Sequence, residues 1–450
     1  MNVIIVGAGV VGCHIAQYLT LKNHQVILVD VDEAKLKLVE ENLDLKTLRG
    51  YGSDVVLLQQ AGVDKAHLFL ALTNEDEVNL LATQLAKKMG AAKVVARVSN
   101  RIYLRAPQFN FRSSLGIDLI LSPELLTAIE IVRFMDNPEA LTLAHFAQGR
   151  IRLHQVVVTD NSVFAHQYLK DLKLPSGVLV VLVSRKEEVI IPKGSTRLEP
   201  GDRITILGLH EAVQDVSRRF EAMPMAVRAI VIAGGGETGL FLAETLESKN
   251  YEVRLIESHQ NRCRELSELL SKTTIIYGDA TNAEFIKEER LNNTDVFVAV
   301  TGDDEVNIMS SLLMKELGVP KCVVKVDRPD YAELLKKFGI DLVLSPRHLI
   351  ANKIVTLIKR GKITGVSILE EGKVEVIEFQ ALPGAPIVGK QIKAIAFPAG
   401  CLLSAVVHDN VPIIPHGTTI IQAGDTVIVI GLTESIEKME LLFQPEGFHA

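Results

Sequence analysis

Two glycine turns carry the most legible chemistry in this chain. Gly7-Ala8-Gly9-Val10-Val11-Gly12 follows the apolar run "NVIIV", and Gly234-Gly235-Gly236-Glu237-Thr238-Gly239 follows "AIVIA". In the spacing Gly-x-Gly-x-x-Gly, the first glycine permits a tight turn and the second lets a pyrophosphate approach the backbone. The third lets the following helix pack closely on the strand. Amides at the helix start then face the phosphates, and the helix dipole adds about 0.3–1 kcal/mol. An acid stands 23 residues after each turn begins, Asp30 ending "QVILVD" and Glu257 ending "EVRLIE". A carboxylate there accepts hydrogen bonds from ribose hydroxyls. It also repels a 2′-phosphate, a repulsion that Asp32 strengthens in the first half. The expected chemistry is recognition of NAD(H), or of ATP or ADP, rather than NADP.

Further candidates lie where later strands end. Thr73 and Asn74, and their counterparts Thr301 and Gly302, fall at the carboxyl edge of a parallel sheet, where open α/β folds bind ligands. Thr73, Asp76 and Asn79 also fit a helix N-cap with acids in its first turn, so both readings stand. Arg97 and Lys325, at matching strand ends, have the charge to neutralise a phosphate. A dehydrogenase needs in addition an acid or base at the hydride-accepting carbon. His154, His166, His210, His348, His408 and His416 are scattered, and none recurs at the matching place in the other half. The four cysteines have no metal-ligand spacing, which points to reduced thiols in the cytoplasm and no zinc. A catalytic centre is not expected.

The elements that must position these residues come in two copies. "LTNEDEVN" at 72–79 answers "VTGDDEVN" at 300–307, and "GIDLILSPE" at 116–124 answers "GIDLVLSPR" at 339–347. "IIPKGSTRLEPGD" at 190–202 answers "IIPHGTTIIQAGD" at 413–425. Three matches in the same order mark a duplication. Within each half, short apolar strands ("NVIIVGAG", "QVILVD", "HLFLALT", "KVVARV", "DLILS") alternate with amphipathic segments, which implies βαβ units and a parallel sheet. The later part of each half is strand-rich with turn signals such as "LEPGD" and "IQAGD". Residues 124–140 read as a helix bridging the two parts, and the halves divide near 221–229. With 48% hydrophobic residues the chain can bury sizeable cores, and a net charge of −7 argues against a nucleic-acid partner. Apolar runs such as "SGVLVVLV" are too short for the roughly 20 residues of a membrane span.

The doubled order of "VIIVGAGVVG", Asp30, "LTNEDEVN", "VVARVS", "DLILSPE" and "IIPKGSTRLEPGD" resembles the RCK (KTN) family over essentially the whole chain. Within that family it resembles the TrkA regulators, cytosolic subunits of Trk-type potassium uptake systems. The resemblance implies an α/β fold of two tandem repeats, each a Rossmann-like parallel-sheet RCK N domain followed by a small α+β C-terminal lobe. The expected boundaries are 1–123, crossover helix 124–140 and 141–225 in the first half, then 228–346, crossover helix 347–365 and 366–450 in the second. It places the nucleotide on Gly7–Gly12, Asp30, Thr73, Asn74 and Arg97, and on Gly234–Gly239 and Glu257. Gly278-Asp279 keeps the family's pattern after strand three, whereas Gly52-Ser53-Asp54 departs from it. Thr301-Gly302 lacks an asparagine and Lys325 replaces an arginine, so the two sites are expected to differ in ligand preference.

The same resemblance implies that the domains pair through the helices starting at Pro123 and Pro346. Homo-oligomers, dimers or tetramers, would close a ring beneath a potassium-translocating membrane subunit of the TrkH type. The chain would then be cytoplasmic and peripheral on the inner face of the plasma membrane, and would sense nucleotide without catalysis. Two alternatives remain at this level: an NAD-dependent oxidoreductase with two sites, and an RCK regulator of another cation channel or of efflux.

Overall fold

The structure, a computed structural model, describes the chain except residues 22–23, 107, 137–140, 148–149, 161, 163, 176, 186–187, 210, 214, 217–226, 329, 359–362, 371–372, 410 and 446–450. Six parallel strands form the first sheet: β1 (Asn2–Val6), β2 (Gln25–Asp30), β3 (Lys46–Arg49), β4 (Leu68–Ala71), β5 (Val94–Arg97) and β6 (Leu119–Leu121), in the order β3-β2-β1-β4-β5-β6. Most residues of β1 and all of β4 are buried, as expected of strands covered on both faces. Val6 lies opposite both Val29 and Ala71, and Ala71 opposite Ala96, so the carboxyl ends form one edge. The strand order reverses between β1 and β4, and there such a sheet opens a crevice. Helix α1 (Val10–Leu21) starts inside the first glycine turn, and α2 (Glu33–Asn42) is capped by Asp32, which accepts from the amides of Ala34 and Lys35.

The second half repeats this sheet strand for strand, from Ala229–Ala233 to Leu342–Leu344, in the same order. Both Rossmann-like domains belong to one compact unit, residues 1–132 with 227–354. They meet through side chains on or beside helices of the two domains. The ring of His14, on α1, lies 5.6 Å from that of His348, on the helix Pro346–Ile358. Glu244, on the helix Glu237–Ser248, takes Arg101 at 2.6 Å and Arg105 at 3.0 Å.

The other unit holds residues 133–226 and 355–450, with two five-stranded sheets whose described pairings are antiparallel. One apolar cluster joins the lobes, with Phe146, Leu153 and Leu207 against Val374, Val376 and Ile430. Gln155 and Arg203 of the first lobe both reach Glu370 of the second. The strand opening the second lobe, Ile363–Leu369, starts inside the segment expected to be linker; its register shifts between Ile363 and Gly365, which masks the alternation there. The expected junction of the halves at 221–229, and the end of the first crossover at 137–140, fall largely or wholly outside the described residues. Among the described residues no helix is long and apolar enough to cross a membrane.

Candidate functional site

The first glycine turn sits at the sheet's reversal point. Gly7 donates its amide to the carbonyl of Val29 at 2.8 Å and has φ +110°, a left-handed geometry that favours glycine. A Cβ at Gly12 would strike the carbonyl oxygen of Gly7, so the third glycine allows the helix to leave the strand at this angle. Gly9 differs from both, because a Cβ there would meet nothing within 4 Å. The backbone at residue 9 therefore faces open space. Asp30, at the end of β2, binds the turn itself: its Oδ2 accepts from Ala8 at 2.5 Å and its Oδ1 from Asp32 at 2.9 Å.

The opposite wall is built by β4 and β5. Asn79, fully buried, accepts from the amide and hydroxyl of Thr73 at 3.0 and 2.7 Å and donates to the carbonyls of Thr73 and Arg97 at 2.9 and 3.0 Å. Asp76 accepts from the amides of Ser99 and Asn100. The spacing of Thr73, Asp76 and Asn79 thus makes a staple tying two strand ends together; the helix N-cap is Glu75, which makes no side-chain capping bond. Neither sequence reading had included the partner on β5. Thr301, Asp304 and Asn307 repeat the staple onto Lys325, Asp327 and Arg328. Arg97 donates to Asn74 at 2.9 Å, and its Nε is buried with no hydrogen-bond partner among the described residues.

A cleft of about 1140 Å³ opens between these walls. Gly9, Val10, Asn74 and Arg97 line it from the first half, and Lys325 and Arg347 from the second. Ala8, Val11 and Thr238 also face it, whereas Thr73 serves the wall from behind and Asp30 reaches it through Ala8. The residues fit a nucleotide: there is room at Gly9 for a phosphate, an unsatisfied cationic donor at Arg97, and a carboxylate with acceptor capacity left at Asp30.

The second turn has the same backbone with different surroundings. Gly234 again has φ +110°, a Cβ at Gly239 would strike the Gly234 carbonyl oxygen, and Gly236 faces open space. Glu257 is buried; one oxygen accepts from Gly235 at 2.9 Å and the other from the amide of His259 at 2.8 Å. Burial alone would raise its carboxyl pKa, but bonds from His259 and Gly235 outweigh that and hold it below the usual carboxylate range. Lys325 donates to the carbonyl of Thr301 at 3.1 Å.

Sequence reasoning left His348 isolated, but the structure packs it on His14, and burial depresses both imidazoles. Nothing local in the sequence points to a contact between residues so far apart. Cys13 faces the cleft, but burial first and Asp30 second push its thiol upward, away from the thiolate a nucleophile needs. Among the described residues no three His, Cys, Asp or Glu side chains are grouped to hold a metal ion. His210 lies outside the described residues.

Comparison with known proteins places the chain in a family. The TrkA-N domain model matches residues 3–123 and 230–346, and the TrkA-C domain model matches 153–221 and 376–444. A protein of Methanosarcina mazei named Trk system potassium uptake protein TrkA homolog 1 is 34% identical over 99% of this chain and all of its own length. The Trk system potassium uptake protein TrkA of Halomonas elongata is 33% identical over 99% of both. Among solved structures, the GsuK RCK domain superimposes with a TM-score of 0.61 at 19% identity, covering 98% of this chain and 94% of that one. The GsuK channel bound to NAD gives a TM-score of 0.61 at 18% identity, covering 98% and 78%. These structural likenesses concern the fold.

Proposed function

The chain belongs to the TrkA family, and from that premise we propose that it is a nucleotide-sensing regulatory subunit of a Trk-type potassium uptake system. The observation that carries the reading is the open backbone at Gly9, flanked by Asp30 and the unsatisfied Arg97. NAD(H), ATP or ADP would lay its phosphates against the amides of Gly9–Gly12 and a ribose against Asp30, with Arg97 and Asn74 beside the charge. The names of the full-length relatives support the transport system, and the NAD-bound and ADP-bound GsuK structures support the ligand class.

No bond need be made or broken. Ligand shifts a conformational equilibrium only by its difference in affinity between two states, typically about 1–3 kcal/mol. The cleft is lined from both Rossmann-like domains, so occupancy bears directly on their packing. In this reading the chain is cytoplasmic, forms a homo-oligomeric RCK ring on the inner face of the plasma membrane, and acts on a TrkH-type potassium-translocating subunit. The test is potassium flux through that partner in proteoliposomes with the full chain added, with and without NADH, ATP or ADP. Nucleotide-dependent flux is expected, with Asp30→Ala shifting it to higher nucleotide concentration. Flux indifferent to nucleotide, or stoichiometric turnover of NADH on a small acceptor, overturns the reading.

A further inference from the structure

Four positions around the two turns differ together. Ala8, Val10, Asp30 and Lys35 of the first half correspond to Gly235, Glu237, Glu257 and Arg262 of the second. In the second half these four residues bind one another. A Cβ at residue 235 would strike Cδ1 of Leu266 and lie 2.8 Å from Oε2 of Glu257, so the glycine leaves room for both the leucine and the longer acid against the turn. Arg262 donates from Nε to the carbonyl of Gly235 at 2.8 Å and pairs through Nη2 with Oε1 of Glu237 at 3.4 Å.

Glu237 is the first residue of its helix, so a carboxylate of the chain itself stands at the positive end of that helix dipole. Its Oε2 is buried without a hydrogen-bond partner among the described residues, so local donors are already short. At the matching place in the first half, Val10 is uncharged and 53% exposed. Lys35 there pairs with Asp32 of its own helix cap at 3.7 Å and lines the open cleft. The unsatisfied donor of the first site, Arg97, likewise has for its counterpart Lys325, which is bonded to Thr301.

We infer that the second glycine turn is closed by its own side chains, Glu237 and Arg262 standing where a ligand's diphosphate would, so that the chain binds one nucleotide, at the first turn. The inference rests on the nucleotide reading given above. A dinucleotide entering the second turn would have to displace the Arg262 guanidinium from the Gly235 carbonyl. Its phosphates would then meet the Glu237 carboxylate at the helix start, and like charges in that position disfavour each other.

The test is the number of NADH, and separately ADP, molecules bound per full-length chain, measured by equilibrium dialysis with thermal melting to confirm folding. The wild-type chain should bind one. Val10→Glu should bind none, and the double variant Glu237→Val/Arg262→Lys, which carries the first half's residues, should bind two. Two molecules on the wild-type chain, or one on the double variant, overturn the inference while leaving nucleotide sensing intact. If Arg262 were a phosphate ligand, Arg262→Ala would lower the stoichiometry of a two-site chain, again against the inference. If the double variant does not fold, Val10→Glu alone decides: retained binding overturns the assignment to the first turn. No binding of either nucleotide to the wild-type chain overturns the nucleotide reading itself.

Discussion

Asp30 accepts the amide of Ala8 on one carboxylate oxygen at 2.5 Å while its other oxygen accepts the amide of Asp32. The acid and the phosphate turn are thus one hydrogen-bonded object, fixed before ligand arrives. A carboxylate has about four acceptor positions, and two remain for ribose hydroxyls. Asp30→Ala should weaken NADH or ADP binding by about 1.5–3 kcal/mol, roughly ten- to hundredfold in Kd. Calorimetric titration of the full chain checks this. The Ala8 amide loses its acceptor, which costs about 1–2 kcal/mol of stability, too little to unfold the domain.

Asn79 acts on the site without touching it. Its amide satisfies Thr73 and the Arg97 carbonyl from a fully buried position. Asn79→Ala should cost about 2–4 kcal/mol, because buried backbone groups at the ends of β4 and β5 lose their partners. Thermal unfolding measures it, and Asn79→Asp should not rescue it, since the two donated bonds would become repulsions. Thr73→Val, removing only the hydroxyl, should cost less.

In the second unit the repeat keeps an ion pair and changes its titration. Arg185 grips the buried Asp202 with two bonds at 2.8 Å, and at the matching places His408 takes Asp425 at 2.6 Å. The bond to Asp425 raises the His408 pKa above the ordinary 6.5. A raised folded-state value means the stabilisation is complete below pH 6.5 and is lost as pH climbs through the folded value. The wild-type chain should therefore melt at lower temperature as pH rises above 6.5, and His408→Arg, which copies the first lobe, should flatten that dependence. The pair His14 and His348 has the opposite sign. Both are depressed, so their effect falls below pH 6.5 and leaves this window clear.

Much of this was legible in the residues, and the gaps have physical causes. The duplication, the two turns and the strands β1, β2, β4, β5 and β6 follow from apolar runs and glycine spacing. The edge strand β3, Lys-Thr-Leu-Arg, is half exposed and carries no buried run to read. The Thr73–Asp76–Asn79 spacing is visible, but its meaning depends on the Arg97 carbonyl at the end of β5 and on amides just beyond it, some twenty residues on. The difference between the two sites is legible in the sequence as a lysine in place of Arg97, a missing asparagine and the departure at Gly52-Ser53-Asp54. The contacts of Arg262 with Gly235 and Glu237 depend on how its side chain folds back.

The most direct measurement exploits the different surroundings of two glycines in one turn. A side chain at Gly9 enters open space, whereas one at Gly12 strikes the carbonyl of Gly7. Titrating NADH and ADP into the wild-type chain, Gly9→Val and Gly12→Ala, with a melting curve for each, separates binding from folding. The account predicts saturable binding to the wild-type chain, a Gly9→Val chain that melts as the wild type does yet binds nothing, and a Gly12→Ala chain that is destabilised. A Gly9→Val chain that binds nucleotide as tightly as the wild type, or a wild-type chain that binds none, would contradict it.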